Sequence, residues 1–502
     1  MPLELDPEVV INKALDTAAG CIEAKPKVAY MILSQLLRVD KENQQAHAML
    51  GLVCYRLGHK KEAVQHLHEA IRLKSDDAES YNNMALVYAA MGNYEESARW
   101  LEDALRIKPD QYLFLNNLAL QWKQLGEHQR AIECFERALA IKTEPMVLCN
   151  LGGLYTDLKR WEDAKTCYNI AISVNPDIPA PKVFLSYVHG YLGDWETAFR
   201  LYENRFQHFE QLQFYNRAYD PAKRWCGTLL SGKRIILYGE QGWGDQLQYV
   251  RYVHQVKAAG GYTIVHCAKP LKTLFDRLPF VDETFTDDIV GLADNPQSIP
   301  PHDFHCSLIS LPFCLKDFVP TGEPYIRPGA VLRIREVEEY RHSFNVGIAW
   351  AGSPMHPNDL QRSMPLKEFE PLQLEGVRLF NLQVGGSKRH YPPIDATVDF
   401  AAGGQNVRLV DLTPMMTDYE QSAAVISGLD LIISVDTSVV HLAGAMGVPC
   451  WVLLPQNSDW RWGTEGDSTD WYDSLRLFRQ GPGGWSALMQ QVREELSRVV
   501  SR

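Results

Sequence analysis

Residues Leu431 to Pro449 read LIISVDTSVVHLAGAMGVP, and they decide the fold. Leu431-Ile432-Ile433-Ser434-Val435 is a short apolar run, largely β-branched, of the buried-strand type. Asp436, Thr437 and Ser438 are all N-cap residues, and any of them suits the start of the helix that follows. That helix brings Val440, Ala443, Gly444 and Gly447 close to its neighbours, and Gly447-Val448-Pro449 stops it. A second apolar run, Cys450 to Leu454, completes a β-α-β unit. A helix N-terminus at the carboxyl edge of a sheet offers N–H groups and a positive dipole end to a phosphate. His441 falls about one turn into the helix, within reach of the same anion. Two readings stay open on these residues alone: an anion site, or an ordinary crossover with a capping Asp and a surface His.

Length and composition narrow the field. At 502 residues the chain predicts several domains, and 46% hydrophobic residues suffice for real cores. A formal charge of −12 gives nucleic-acid binding no support from the chain as a whole. The 10 Cys form neither a C-x-x-C pair nor a ligand-spaced cluster with His, so they read as thiols in a reducing compartment. The N-terminus, MPLELDPEVV, is acidic and lacks a signal-peptide apolar core; no run approaches the ~18 apolar residues of a membrane span. A cytoplasmic location is the expectation.

The first half repeats itself. Gly58, Gly92, Gly126, Lys159 and Gly193 recur at steps of 34, 34, 33 and 34. Five residues after each stands a small residue: Ala63, Ser97, Ala131, Ala164 and Ala198. Four further on stands a large one: Leu67, Leu101, Phe135, Tyr168 and Tyr202. Ala70, Ala104, Ala138 and Ala171 keep register, and Pro109 and Pro176 close two of the units. This resembles the tetratricopeptide repeat (TPR), two antiparallel helices per unit, over roughly residues 44 to 206. Residues 8 to 43 read as a degenerate capping copy, which a solenoid end needs.

Asn83, Asn117 and Asn150 occupy one position in successive units. In this repeat the first helix of each pair lines the concave groove, so these side chains form a column there. A carboxamide both donates and accepts, which suits the backbone of an extended peptide. The column resembles the asparagine ladder of O-linked N-acetylglucosamine transferase. The alternative is that the amides satisfy backbone groups between repeats; Met49 and Phe184 break the column at its ends.

The second half reads as two α/β lobes. Asp220 to Gly232 connects, and the strand Lys233 to Tyr238 runs into Gly239-Glu240-Gln241-Gly242-Trp243-Gly244-Asp245. A helix follows through Leu247, Val250, Val253 and Val256, ended by Gly260-Gly261, and the next strand is Tyr262 to Cys267. The glycine loop is neither the spaced dinucleotide fingerprint nor a P-loop, which would need a Lys. It places Asp245 at the sheet edge, as an N-cap if nothing more. A second start, Asn345 to Trp350, leads into AGSPMHPNDLQRSMPL with His356, Asn358 and Arg362, then a helix around Leu366 to Leu372. Strands are expected at Arg378 to Gln383 and Val407 to Leu412, and a helix at Tyr419 to Gly428. Two such lobes in series enclose a cleft, the expected place for a ligand.

GEQGWGDQLQYVRY, GIAWAGSPMHPNDLQRSMPL, SVDTSVVHLAGAMGVP and NSDWRWG, in this order, resemble the heptosyltransferase-like (family 9-like) GT-B glycosyltransferases, in the bacterial branch fused to tetratricopeptide repeats. The resemblance covers about residues 232 to 480. It implies an α plus α/β chain: a TPR solenoid over 1–215, then a GT-B unit of two Rossmann-like lobes, 216–340 for the acceptor and 341–502 for the nucleotide-sugar donor. It implies Asp245 as general base, taking the acceptor hydroxyl's proton. Asp436, Thr437, Ser438 and His441 would cradle the donor diphosphate, with Arg362 neutralising it and Arg461 closing over it. Arg and His at a leaving diphosphate can replace a metal ion, and no Asp-x-Asp motif is present. No cofactor is expected, and a nucleotide diphosphosugar is the substrate. The expected activity is inverting, metal-independent transfer to an acceptor, a protein held in the groove by Asn83, Asn117 and Asn150. Gly463-Thr464-Glu465-Gly466-Asp467 stands where related chains carry a basic residue, and Trp243 adds bulk beside Asp245. The alternative class is a TPR scaffold whose α/β half binds nucleotide sugar without catalysis.

Overall fold

The computed structural model describes residues 7–356, 358–385 and 408–501. The reading of the chain start rests largely on residues 1–6, and the strand expected over Val407 to Leu412 is read to begin at Val407; residues 1–6 and Val407 lie outside the described residues. The chain divides into two compact units, residues 1–184 and 185–502.

The first unit is a helical TPR solenoid. Pro7–Cys21 pairs with Pro26–Val39, and Gln44–Arg56 with Lys60–Leu73. The later pairs are Ala78–Ala90 with Tyr94–Ile107, Tyr112–Gln124 with His128–Ile141, and Pro145–Asp157 with Trp161–Val174. The recurring glycine has a plain cause. Gly58, Gly92 and Gly126 turn the chain between helices at φ of 83°, 80° and 77°, a left-handed conformation cheap only for Gly. Lys159 takes the same turn at φ 58° without that freedom. The small positions are where helices approach: Ala63, Ser97, Ala131 and Ala164 are fully buried, and Leu67, Leu101, Phe135 and Tyr168 fill the space beside them.

The second unit holds two all-parallel sheets. The first orders β3-β2-β1-β4, with β1 Arg234–Tyr238, β2 Tyr262–His266, β3 Glu283–Phe285 and β4 Phe304–Ser307. The second orders β10-β9-β8-β5-β6-β7. Its strands are β5 Phe344–Ala349, β6 Val377–Asn381, β7 Val410–Asp411, β8 Leu431–Val435, β9 Cys450–Leu454 and β10 Leu475–Arg479. In both, the strand order reverses beside the first strand of the lobe. Ligands of doubly wound sheets bind outside the carboxyl ends at that reversal. In the second sheet it falls between β5 and β8, whose following segments carry Arg362 and the helix Ser438–Met446. Val346, Ile348, Ile433, Val435 and Leu453 build the core there, covered by Leu488, Met489, Val492 and Leu496 of the helix Gly484–Val500.

Several elements differ from the sequence reading. β3 is three half-buried residues, β4 carries His305 and Ser307, and β10 alternates Leu with Arg, so none gives a clean apolar run. The segment Leu366–Leu372 is a 3₁₀ helix, not an α-helix, with Pro371 inside it; proline removes a donor and breaks the α ladder.

Candidate functional site

β8 ends at Val435, and the helix Ser438–Met446 begins after Thr437, whose extended backbone makes it the N-cap. Ser438 accepts a hydrogen bond from the Tyr419 hydroxyl at 2.6 Å, and the Thr437 and Ser434 hydroxyls lie 3.3 Å apart. The Asp436 carbonyl accepts from Arg362 Nη1 at 3.2 Å. Burial, and then Asp459, push the Asp436 carboxyl above its usual range. Arg362 closes the short helix Asp359–Arg362, and its Nε lies 3.7 Å from Asp359 Oδ1 as an ion pair but makes no hydrogen bond. Its guanidinium fills the space over Gly352, where a Cβ would come within 2.3 Å of Nη2.

His441 is 5% exposed and its Nδ1 lies 3.0 Å from the Tyr472 hydroxyl. Trp462 stacks on its ring at 5.5 Å between centroids. Burial, then Arg461, Arg251 and Arg362, hold its pKa well below the ordinary histidine value, so the ring is neutral. Gly244 of the first lobe comes close: a Cβ there would stand 2.8 Å from His441 Cδ2. That approach explains the second glycine of the G-W-G-D turn.

Asp245 lies on the helix Trp243–Tyr249 that follows the turn. Its Oδ2 accepts from the Gly242 N–H at 2.9 Å, the back-bond of a helix cap. Its Oδ1 forms an ion pair with Arg461 Nη1. Arg461 is also gripped by Asp459, with Nε–Oδ1 at 2.9 Å and Nη2–Oδ2 at 3.1 Å. Burial works against the Arg461 charge, but Asp459 and Asp245 outweigh it and hold the guanidinium firmly protonated. Two carboxylates thus share one arginine where the lobes meet. Trp243 stands 48% exposed, edge-on to Tyr419 at 5.9 Å.

Asp245, Arg362, Asp436, Thr437, Ser438, His441 and Arg461 therefore gather around one place in the second unit. The neighbouring carboxylate Glu240 does not join them. It is 1% exposed and bound to Arg205 and Ser307. Asp459, Tyr472, Tyr419 and Arg251 escaped the sequence reading. Asp459 was inside the quoted NSDWRWG, but only the fold shows it facing Arg461. Among the described residues, no group of three or more His, Cys, Asp or Glu is placed to hold a metal ion.

The three Asn lie in the repeat unit, where Asn117 and Asn150 bond to Asn side chains of the preceding repeat. Asn117 Nδ2 donates to Asn82 Oδ1 at 2.9 Å and Asn150 Nδ2 to Asn116 Oδ1 at 2.8 Å. Asn116 Nδ2 reaches Asn117 Oδ1 at 3.3 Å. Asn83 is half-buried in the same helix as Asn82.

Comparison with known proteins agrees with both halves. Tetratricopeptide-repeat models match residues 76–144, 51–92 and 147–178. The model of glycosyltransferase family 9 (heptosyltransferase) matches residues 381–468, which include Asp436 to His441 and Arg461. The chain thus carries tetratricopeptide repeats in its N-terminal part and a glycosyltransferase family 9 region in its C-terminal part. It is 26% identical over 324 residues to Protein FlbA of Caulobacter vibrioides, over 59% of this chain and 51% of FlbA. The chain therefore spans about half the length of that curated relative. Among solved structures it is similar to TTC0263, a TPR protein of Thermus thermophilus: 19% identity, 36% of this chain, 98% of that one, TM-score 0.33. Another is Pseudomonas aeruginosa pilF: 19% identity, 42% of this chain, 97% of that one, TM-score 0.36. No helix among the described residues is long and apolar enough to cross a membrane.

Proposed function

We propose that the second unit is a GT-B glycosyltransferase that moves a sugar from a nucleotide diphosphosugar to an acceptor, with inversion and without a metal ion. The observation that carries the reading is Asp245 of the first lobe, opposite Arg362, His441 and the N-terminus of the helix Ser438–Met446 of the second. Inversion takes one displacement, so a single base on the acceptor side suffices. The Asp245 carboxylate takes the proton of the attacking hydroxyl as that oxygen joins the anomeric carbon. The bond to the diphosphate breaks, and its charge falls on the helix N–H groups, Arg362, Arg461 and neutral His441. The diphosphate also has work to do on Asp245. Arg461 pairs with that carboxylate, and a bound diphosphate offers it a stronger partner. Donor binding thereby frees the base. The TPR unit is proposed to hold a protein acceptor.

The test is a panel of nucleotide diphosphosugars, read by thermal stabilisation and by release of nucleoside diphosphate, with and without chelator. One donor that stabilises and is turned over with chelator present is the expected result. Stabilisation with no turnover in the presence of candidate acceptors would favour a non-catalytic nucleotide-sugar sensor on a TPR scaffold. Loss of binding with chelator would overturn the metal-free site.

A further inference from the structure

His441 is held by a residue the motifs do not contain. Tyr472 is fully buried, with its hydroxyl 3.0 Å from His441 Nδ1. Gly444, one turn beyond His441, exists to admit it: a Cβ there would lie 2.5 Å from the Tyr472 ring. Trp462 covers one face of the imidazole, and Gly244 lets the first lobe close on its Cδ2 edge. The ring has one orientation left, with Nδ1 on Tyr472.

Behind Tyr472 stands Arg251, itself 5% exposed. Its guanidinium carbon lies 4.7 Å from the Tyr472 ring centroid and 4.6 Å from that of Tyr325. Its Nε donates to the Gln248 carbonyl at 3.0 Å, Nη2 reaches the Tyr325 hydroxyl at 3.4 Å, and Nη1 has no partner. The Tyr325 hydroxyl in turn donates to the Leu247 carbonyl at 2.7 Å. The cation over the Tyr472 ring withdraws electron density from the phenol, which makes its hydroxyl a better donor and a poorer acceptor and favours the phenol hydrogen on His441 Nδ1. A hydrogen on Nδ1 would instead need the Tyr472 oxygen as its acceptor, the role that the cation weakens. The imidazole then has to carry its single hydrogen on Nε2.

We propose that Tyr472, oriented by Arg251, is the positioning residue that fixes His441 as its Nε2–H tautomer, so that His441 donates a hydrogen bond to the donor diphosphate. This rests on the anion site proposed above. The opposite tautomer would present a lone pair to the phosphate oxygens and repel them. A donor without charge also spares the site a third cation beside Arg362 and Arg461.

The experiment uses the full chain labelled with ¹⁵N-histidine, the His441 signals among the 15 histidines being assigned by difference from His441→Gln. The parent should show Nε2 protonated and Nδ1 unprotonated between about pH 6 and 8, the range in which histidine ordinarily titrates. Tyr472→Phe keeps the ring and removes the hydroxyl. It should shift His441 to mixed tautomers and weaken uridine, guanosine or adenosine diphosphate binding roughly tenfold, the effect of one lost hydrogen bond. A Nδ1–H tautomer in the parent, or a Nε2–H tautomer that survives in Tyr472→Phe, overturns the positioning role. Unchanged nucleotide affinity in His441→Ala, which keeps no donor there, instead overturns the anion site, whatever the tautomer. Reading the parent tautomer needs only the His441→Gln assignment, so a Tyr472→Phe chain that failed to fold would leave the proposal open to refutation.

Discussion

Both oxygens of Asp245, the proposed base, are engaged, one by the Gly242 N–H and one by Arg461. Asp245→Asn keeps the cap geometry but cannot accept a proton. Turnover should fall roughly 10²–10⁴-fold with donor affinity kept, measured on one sample by nucleotide binding and product formation. A variant that transfers sugar at near the parent rate would remove Asp245 from the mechanism, and Glu240 could not replace it because Arg205 and Ser307 already hold it. On the donor side, Arg362→Ala and His441→Ala should each lose about 2–4 kcal/mol of transition-state stabilisation in kcat/KM. Full activity in both would mean the diphosphate sits elsewhere. These residues were legible because strand-end corners with N-cap residues, glycines and a His advertise themselves in a single sequence. Their partners were not. Asp459 grips Arg461 from two residues away, and Tyr472 reaches His441 from 31 residues away; an acid near an Arg or a Tyr after a Trp carries no mark of that role.

The elements that hold the Asp245 turn come from outside its sheet. Arg205, on the short helix Arg205–His208, is fully buried against Glu240, Ser310 and Glu203. Burial opposes its charge, but Glu240 and Glu203 hold it well above the usual arginine range. This cluster fills the strand-order reversal of the first sheet, between β1 and β4. Next in the chain, Gln241 sits at φ 63°, a strained conformation for a non-glycine, and donates to the Tyr202 hydroxyl at 2.6 Å. Removing one member of a buried pair strands the other. Arg205→Met should cost about 3–5 kcal/mol in urea unfolding, and Arg205→Met with Glu240→Met should recover much of it. The double variant should still turn over slowly, because Glu240 no longer fixes the turn that carries Asp245. Recovery of stability and activity together would show the cluster to be structural only. The repeats were readable as elements because the left-handed turn of Gly58, Gly92 and Gly126 leaves a mark at fixed spacing. The Arg205 cluster was not, since Arg205 breaks the register of Ala70, Ala104, Ala138 and Ala171 without naming a partner, and Glu240 is one more acid in a glycine-rich loop.

At the scale of the whole molecule, pH and acceptor use separate the two units. In the second unit, burial lowers the pKa of His305 to about 4 and that of His441 well below its ordinary value. Unfolded, both return to about 6.5. Between about pH 6.5 and 4 the unfolded chain therefore binds protons that the folded one refuses, so stability falls as the solution is acidified. From pH 7 to 5 the unit should lose roughly 2–4 kcal/mol in urea unfolding, and His441→Gln should flatten that slope. A stability unchanged over this range would mean the buried histidines titrate normally. The first unit is tested through its Asn column. Asn117 and Asn150 each donate to a buried Asn of the preceding repeat, Asn82 and Asn116, which are 8% and 2% exposed. Asn83, Asn117 and Asn150 replaced together by Ala should lower the melting temperature of the repeats, because those buried carbonyl oxygens lose their donors at about 1–3 kcal/mol each. Stability alone does not decide whether the column also binds an acceptor. Replacement by Asp keeps the shape and an acceptor oxygen but removes the donors, so a peptide backbone carbonyl would lose its partner as well. Donor hydrolysis reports the second unit, and transfer to a protein reports both. Transfer should fall at least tenfold in the Ala variant, with hydrolysis within about twofold of the parent, at a temperature where both chains are folded. Equal loss of hydrolysis and transfer would trace the defect to the second unit. Unchanged transfer would leave the column as the internal seam of the solenoid, with the acceptor bound elsewhere.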